Sequence, residues 1–297
     1  MQIMAVLGCC IFVVYFGLRY PLFPKPPPEV QIIYRRALSG RDEPIRDSRF
    51  HIVQNYLLYI DSNMKEGETK DSQYRQNRQN ELIYTLKANL NNPMIASVNI
   101  LYTHKPLIPH LQKLNLSNGD KLKTHYYNDT PNIQDMLIFI ETSLQNKFVM
   151  LSNQDIEIGD GWNQLDLKKF RDHRMFYAMT RHVREQHMKD PDCYARENFH
   201  CHADDKDIGA YDTFVFYMEG RVPAEMKAEM NYTQGTFGME NVIVWYAKNV
   251  WEYNVLNPCR TLKIYHIDCR HIDMKKRDRQ PRDDHIGRAA FTDQLYV

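Results

Sequence analysis

The chain has 297 residues, 43% hydrophobic and 25% charged, with 38 basic against 37 acidic side chains and a formal net charge of +1. That length supports one large globular domain or two small ones with a sizeable core. The balanced charge excludes the basic footprint of a nucleic-acid binder, and the 12% aromatic share excludes a disordered chain.

The first element is apolar. Residues 3–18, IMAVLGCCIFVVYFGL, carry no charge, and Tyr20, Leu22 and Phe23 extend the run past Arg19. A spanning helix needs about 20 apolar residues, about 17 at the least. A membrane anchor is the favoured reading. A cleaved signal peptide competes, although no basic n-region precedes Ile3. A core helix fits the length but not the flank, where the run FPKPPP makes a stiff extended spacer. Arg19, Lys25, Arg35 and Arg36 follow the apolar run, so the positive-inside rule would keep the remainder cytosolic. Two features oppose that orientation. Three glycosylation sequons begin at Asn115, Asn128 and Asn231. Beyond the apolar run, Cys193, Cys201, Cys259 and Cys269 form an even set in two local pairs, which suggests disulfides in an oxidising lumen; of the three possible pairings the local ones, Cys193–Cys201 or Cys259–Cys269, are preferred because short loops close easily, and reduced buried cysteines are the alternative. His200 and His202 lie beside Cys201, but the spacing is irregular for zinc. The expected organisation is an anchor over 1–23, a Pro-rich stem over 24–48, a folded domain over 49–274 and a charged tail over 275–297, solvated at least from Lys275 to Asp284.

Within the domain, strands and helices alternate. Phe50–Ile60 is rich in β-formers and predicts a strand. Ser72–Leu90 carries Leu82, Ile83, Leu86 and Leu90 at helical spacing and ends before Pro93. Ile95–Tyr102 predicts a strand, Ile108–Leu114 a short helix, Leu122–Tyr127 a strand and Ile133–Gln145 a long helix. Phe148–Leu151 is a short apolar run, as a strand buried on both faces requires. The fold class is therefore α/β, a parallel sheet with helices on its faces.

The strand at Phe148 runs straight into Asp155, Glu157 and Asp160. Ligands of open α/β sheets bind beyond the carboxyl ends of the strands. If this piece stays extended, Asp155 and Glu157 share one face while Ile156 and Ile158 point to the core. Two such carboxylates suit a hard divalent cation, Mn2+ or Mg2+, completed by substrate phosphates. A solvated acidic turn is the alternative.

The order of a helix, KFVMLSNQDIEIGDGW and then MFYAMTRH resembles the nucleotide-sugar-binding half of GT-A-type glycosyltransferases, among them Golgi type II membrane proteins. Asp155-Ile156-Glu157 stand where that superfamily commonly carries Asp-x-Asp. Tyr211-Asp212-Thr213-Phe214 resembles an acceptor-side acidic segment, and Gly238-Met239-Glu240-Asn241 resembles the segment that carries the acidic catalytic residue. Asn257-Pro258 and Ile264-Tyr265-His266 resemble a late strand whose histidine completes the metal site. The resemblance spans Phe50 to His271. It implies a GT-A-like, Rossmann-type mixed sheet flanked by helices, and a nucleotide-sugar site at Asn153, Asp155, Glu157 and Trp162. It further implies a metal at Asp155, Glu157 and His266, and a catalytic base at Asp212 or Glu240. The partners would be a nucleotide sugar, a glycan or other hydroxyl acceptor, and a Golgi or ER membrane, or the secreted space if the leader is cleaved. Trp162 flanks a sugar or simply packs; Trp245 reads as core. A non-catalytic lumenal binding protein on the same fold and a secreted hydrolase remain alternatives.

Overall fold

The computed structural model describes residues 44–59, 69–184, 201, 210–234, 236, 238–266 and 285–297, with the backbone alone for 69–74. The chain divides after Pro44 into two units, and the description below concerns the second, Ile45–Val297. The predicted anchor and Pro-rich run, Cys193, His200, His202, Cys269 and the Lys275–Asp284 run lie outside the described residues. No helix among the described residues is long and apolar enough to cross a membrane.

Among the described residues, nine strands and six helices build this unit. In chain order they are β1 (Phe50–Asn55), α1 (Thr69–Asn91), β2 (Ile95–Tyr102), α2 (Leu107–Lys113), β3 (Leu122–Tyr126), α3 (Ile133–Ser143), β4 (Lys147–Ser152), β5 (Ile156–Ile158), α4 (Leu167–Asp172), β6 (Met175–Met179), β7 (Thr213–Met218), α5 (Ala224–Glu229), α6 (Met239–Asn249), β8 (Asn254–Leu256) and β9 (Ile264–His266). Seven strands form one sheet in the order β3-β2-β1-β4-β7-β6-β8, and β5 and β9 pair as a separate antiparallel ribbon. All pairings in the large sheet are parallel except those of β7 with β4 and β6. The predicted parallel sheet is thus a mixed, Rossmann-type sheet with one reversed strand.

Alternation along the strands feeds two cores. Val53, Val149 and Leu151 face α3, α5 and α6, while Phe50, Ile52, Phe148 and Met150 face α1, α2, α4 and the β5–β9 ribbon. The result is helices on both faces of a sheet. Helix α3 starts at a capping box in which Asn132 and Asp135 satisfy each other's backbone N–H groups. Strand β1 is shorter than predicted because its continuation leaves the ladder. The N–H of Leu57 donates to Gln154 Oε1, and that of Tyr59 to Gln79 Oε1, each at 2.8 Å.

Residues 285–297 are not a free tail. Gly287 N–H donates to the Asn241 carbonyl at 2.9 Å, and Ala289 N–H donates to the Tyr211 hydroxyl at 2.8 Å. Further on, Thr292 N–H donates to the Asn257 carbonyl, and Tyr296 spans both backbone groups of Asp166. A Cβ on Gly287 would lie 2.2 Å from the Trp245 backbone nitrogen, so only glycine lets this strap cross α6 so closely. Trp245, half-buried against the core, is covered there by the His285 ring at 4.1 Å.

The predicted local disulfides do not form. Cys201 is bonded to Cys259, 58 residues away, with Cα atoms 6.0 Å apart. Tertiary pairing decided this: Cys201 N–H donates to the Arg181 carbonyl past β6, and His182 Nε2 bonds the Cys259 carbonyl past β8, where the parallel pairing of β6 and β8 sets the two segments together.

Candidate active site at the carboxyl edge of the sheet

Strand β1 is flanked by β2 on one side and β4 on the other, so the chain reverses its direction of travel across the sheet there. Such a switch point opens a crevice beyond the carboxyl ends of the strands. Because β7 is reversed, its first residue, Thr213, lies opposite Ser152 at the end of β4. The two hydroxyls bond at 2.7 Å. The next residue on each side then meets its counterpart. Asn153 N–H donates to the Asp212 carbonyl at 3.0 Å, and Asn153 Nδ2 donates to Asp212 Oδ1 at 3.1 Å.

Arg181, just beyond β6, donates Nη1 to the same Asp212 oxygen at 2.8 Å. Asp212 is 7% exposed, and its second oxygen, Oδ2, is buried without a hydrogen-bond partner among the described residues. Glu240 occupies the first turn of α6, behind Gly238, whose φ of +83° makes the tight turn into the helix. Burial pushes the Glu240 carboxyl up to about 7, and the nearby Asp212 charge adds to the rise; backbone N–H groups at the helix start and Arg181 oppose it. Two carboxyl groups thus feel each other's charge in unlike surroundings, one held by a guanidinium and an amide, the other poised near neutrality. That division is the usual structural basis for separate acid–base roles.

Asp155 and Glu157 have another fate. Asp155 Oδ2 accepts from Arg78 Nη2 and from His266 Nε2, the latter at 2.9 Å, and Arg78 also holds Glu81 at 2.6 Å. Burial alone would raise the Asp155 carboxyl; the Arg78 guanidinium, with His266, overrides it and holds the group well below the usual carboxylate range. Glu157 accepts from Arg184 on both oxygens, Nε to Oε2 at 3.0 Å. The Arg184 guanidinium lies 4.1 Å from the Tyr265 ring centre. Helix α1 fastens the whole segment. Thr85 Oγ1 donates to the Gln154 carbonyl, Asn89 bonds both the Ile156 carbonyl and the Ile158 N–H, and Asn92 Nδ2 donates to the Ile158 carbonyl.

The structure therefore brings Asp155 and His266 together, as the metal reading requires, but sets Glu157 against Arg184. Ile156 and Ile158 are buried as expected, and so are Asp155 and Glu157, each 7% exposed. No three His, Cys, Asp or Glu side chains among the described residues are grouped to take one ion. With guanidinium groups on both carboxylates, this donor set does not fit a divalent cation. Trp162 takes the packing reading. It is 1% exposed, packs edge-on to Phe50 at 5.5 Å and donates Nε1 to the Lys263 carbonyl, as a core residue does. Asn153 is at the crevice, with its amide engaged by Asp212. Sequence reasoning did not single out Arg78, Arg181 or Arg184. The only local signal was that Arg181 and Arg184 follow a buried strand directly, where an unpaired cation is costly.

No family model matches the chain, and no curated protein matches it. Among solved structures it is similar to a mannosyltransferase from Pyrobaculum calidifontis in complex with GDP-Man and Mn2+, at a TM-score of 0.41 and 9% identity over 77% of this chain and 61% of that one. It is also similar to a 4-diphosphocytidyl-2C-methyl-D-erythritol synthase from Anaerococcus prevotii, at 0.37 and 9% over 70% and 87%, and to S. aureus TarS 1–349, at 0.31 and 12% over 57% and 47%. The chain spans less than two thirds of the mannosyltransferase. These likenesses are distant, and the mixed α/β architecture rests on the strand order itself.

Proposed function

We propose that the chain is a glycosyltransferase that moves a sugar from a nucleotide-sugar donor to a hydroxyl acceptor. The observation that carries this reading is the Glu240–Asp212 pair at the switch-point edge. Glu240 takes the proton of the acceptor hydroxyl as that oxygen bonds to the anomeric carbon and the bond to the donor diphosphate breaks. Asp212, held by Arg181 and Asn153, orients the hydroxyl. A group with its midpoint near the working pH is suited to such proton transfer. The sugar passes through an oxocarbenium-like state, which adjacent carboxylate charge stabilises.

In this reading the domain is lumenal, on an anchor in the first 23 residues. The sequon residues Asn115, Asn128 and Asn231 are all exposed, and Cys201–Cys259 is oxidised. A glycosidase that leaves the gel mobility of the secretory-pathway protein unchanged would count against the compartment.

The arginines on Asp155 and Glu157 favour a second reading, a binding protein on the same fold without turnover. Release of nucleoside diphosphate from a panel of nucleotide sugars separates the two. The transferase shows release with at least one donor–acceptor pair and loses it in Glu240→Gln. No release with any pair would leave the binding protein.

A further inference from the structure

We propose that the strap at residues 285–297 is the positioning element of the Asp212–Glu240 pair: Gly287 and Ala289 fasten the two segments that carry the carboxyl groups and fix the separation between them. What the pair is used for rests on the glycosyltransferase reading; the positioning itself rests on the contacts of the strap.

The two carboxyl groups belong to separate elements. Asp212 stands one residue before β7, and Glu240 stands in the first turn of α6. The strap grips both. Gly287 N–H donates at 2.9 Å to the carbonyl of Asn241, the residue after Glu240. Ala289 N–H donates at 2.8 Å to the hydroxyl of Tyr211, the residue before Asp212, and that hydroxyl turns back to the Ala289 carbonyl at 3.4 Å. Two residues of chain span at most about 7 Å between Cα atoms, so a short stretch of backbone ties one segment to the other. Neither grip is a surface contact. Tyr211 and Ala289 are each 2% exposed, and at Gly287 the Trp245 backbone leaves no room for a side chain. The strap is seated on either side of the grips as well, His285 against the rings of Trp245 and Tyr246, and Tyr296 on both backbone groups of Asp166.

The chemistry of such a pair depends on its separation. Burial does most to raise the Glu240 carboxyl, and the Asp212 charge adds to the rise against Arg181 and the N–H groups at the helix start. Coulomb interaction weakens with distance and with the entry of water. A strap that lets go frees the start of α6 from the segment of Asp212 and admits water between them. Both causes then fade, and the Glu240 midpoint falls from about 7 toward its ordinary 4.5. A misplacement of about 1 Å at a reacting group also costs about a hundredfold in rate.

The test is carboxyl-carbon NMR titration of the intact chain, with the Glu240 resonance assigned by its loss in Glu240→Gln. Tyr211→Phe keeps the ring and removes the hydroxyl that Ala289 grips; Gly287→Ala pushes the strap off α6. Each should lower the Glu240 midpoint by a unit or more, on the order of a tenfold change in proton affinity. Tyr296→Phe loosens the far end of the strap and is the control for a merely structural role: it should leave the midpoint in place. Circular dichroism confirms folding, and if Gly287→Ala does not fold, Tyr211→Phe decides. An unmoved midpoint in folded Tyr211→Phe, or an equal fall in Tyr296→Phe, would overturn the positioning role. Release of nucleoside diphosphate from the panel of nucleotide sugars is read on the same samples, where Tyr211→Phe should lower kcat about a hundredfold with little change in KM. A midpoint that moves while wild type releases nothing removes the transferase alone; release that depends on Glu240 with an unmoved midpoint removes the positioning alone.

Discussion

Asp155 and His266, 111 residues apart, share a 2.9 Å hydrogen bond that joins the carboxyl end of β4 to the last residue of β9. Arg78 meets the same Asp155 oxygen from helix α1, so three distant segments close on one buried carboxylate. Removing one partner of a buried pair leaves an uncompensated charge, which costs about 3–5 kcal/mol. Arg78→Ala should lose about that much in urea denaturation. A loss under 1 kcal/mol would show that water reaches the carboxylate. The Asp155 group is depressed in the folded state, so its contribution is present above the unfolded value of 3.8 and disappears as pH falls below it. Wild type should lose stability steeply in that acid range, and Asp155→Asn should be flatter there.

Glu240 acts in the opposite direction. Its folded value is raised from 4.5 to about 7, so the native state holds an extra proton between those limits. Stability should fall as pH rises from about 4.5 to about 7, by at most about 3 kcal/mol before solvent screening. Glu240→Gln should remove that slope and melt higher than wild type at pH 8. The same variant should lower transfer by about 10²–10⁴-fold. An unchanged stability–pH profile would mean that Glu240 is not buried in its protonated form.

The guanidinium groups on Asp155 and Glu157 make a prediction about metal. Mn2+ titrated into the chain should give no saturable heat that depends on Asp155, and a chelator should leave nucleoside diphosphate affinity unchanged. Saturable Mn2+ binding that Asp155→Asn abolishes would mean that Arg78 and Arg184 are displaced on loading.

Cys201–Cys259 closes a loop of about 58 residues, for which the chain-entropy account gives about 4 kcal/mol. Cys259→Ser should lower stability by that order, and peptide mapping under non-reducing conditions should recover Cys201 with Cys259. Recovery of Cys201 with Cys193 would contradict the structure.

The local elements were legible in the sequence because their signals are local. Ile95–Tyr102 reads as a strand from β-branched content alone, and Leu82, Leu86 and Leu90 mark the buried face of α1 by their spacing. What depends on distant partners was not legible. The reversal of β7 has no sequence signature, because Thr213–Met218 alternates in the same way whichever direction it runs. Nothing local announces that Arg78, Thr85 and Asn89 are buried against residues 154–158. Asp155 and Glu157 were read as metal ligands because nothing near them in the chain announces the arginines that hold them. Glu240 and Asp212 were singled out only through the order of segments around them.

The strap at residues 285–297 bears on how the protein comes to be made. It touches Tyr211 and Asn241, the immediate neighbours of Asp212 and Glu240. Among the described residues, these leave the ribosome last. During synthesis, β1 through β4 can pair and collapse against α1 and α3 while the segments that carry the two carboxyl groups still lack their outer support. A nascent chain stalled before Gly287 would hold a nearly complete sheet with an open, unset edge, so competence at that edge waits on the synthesis of the strap.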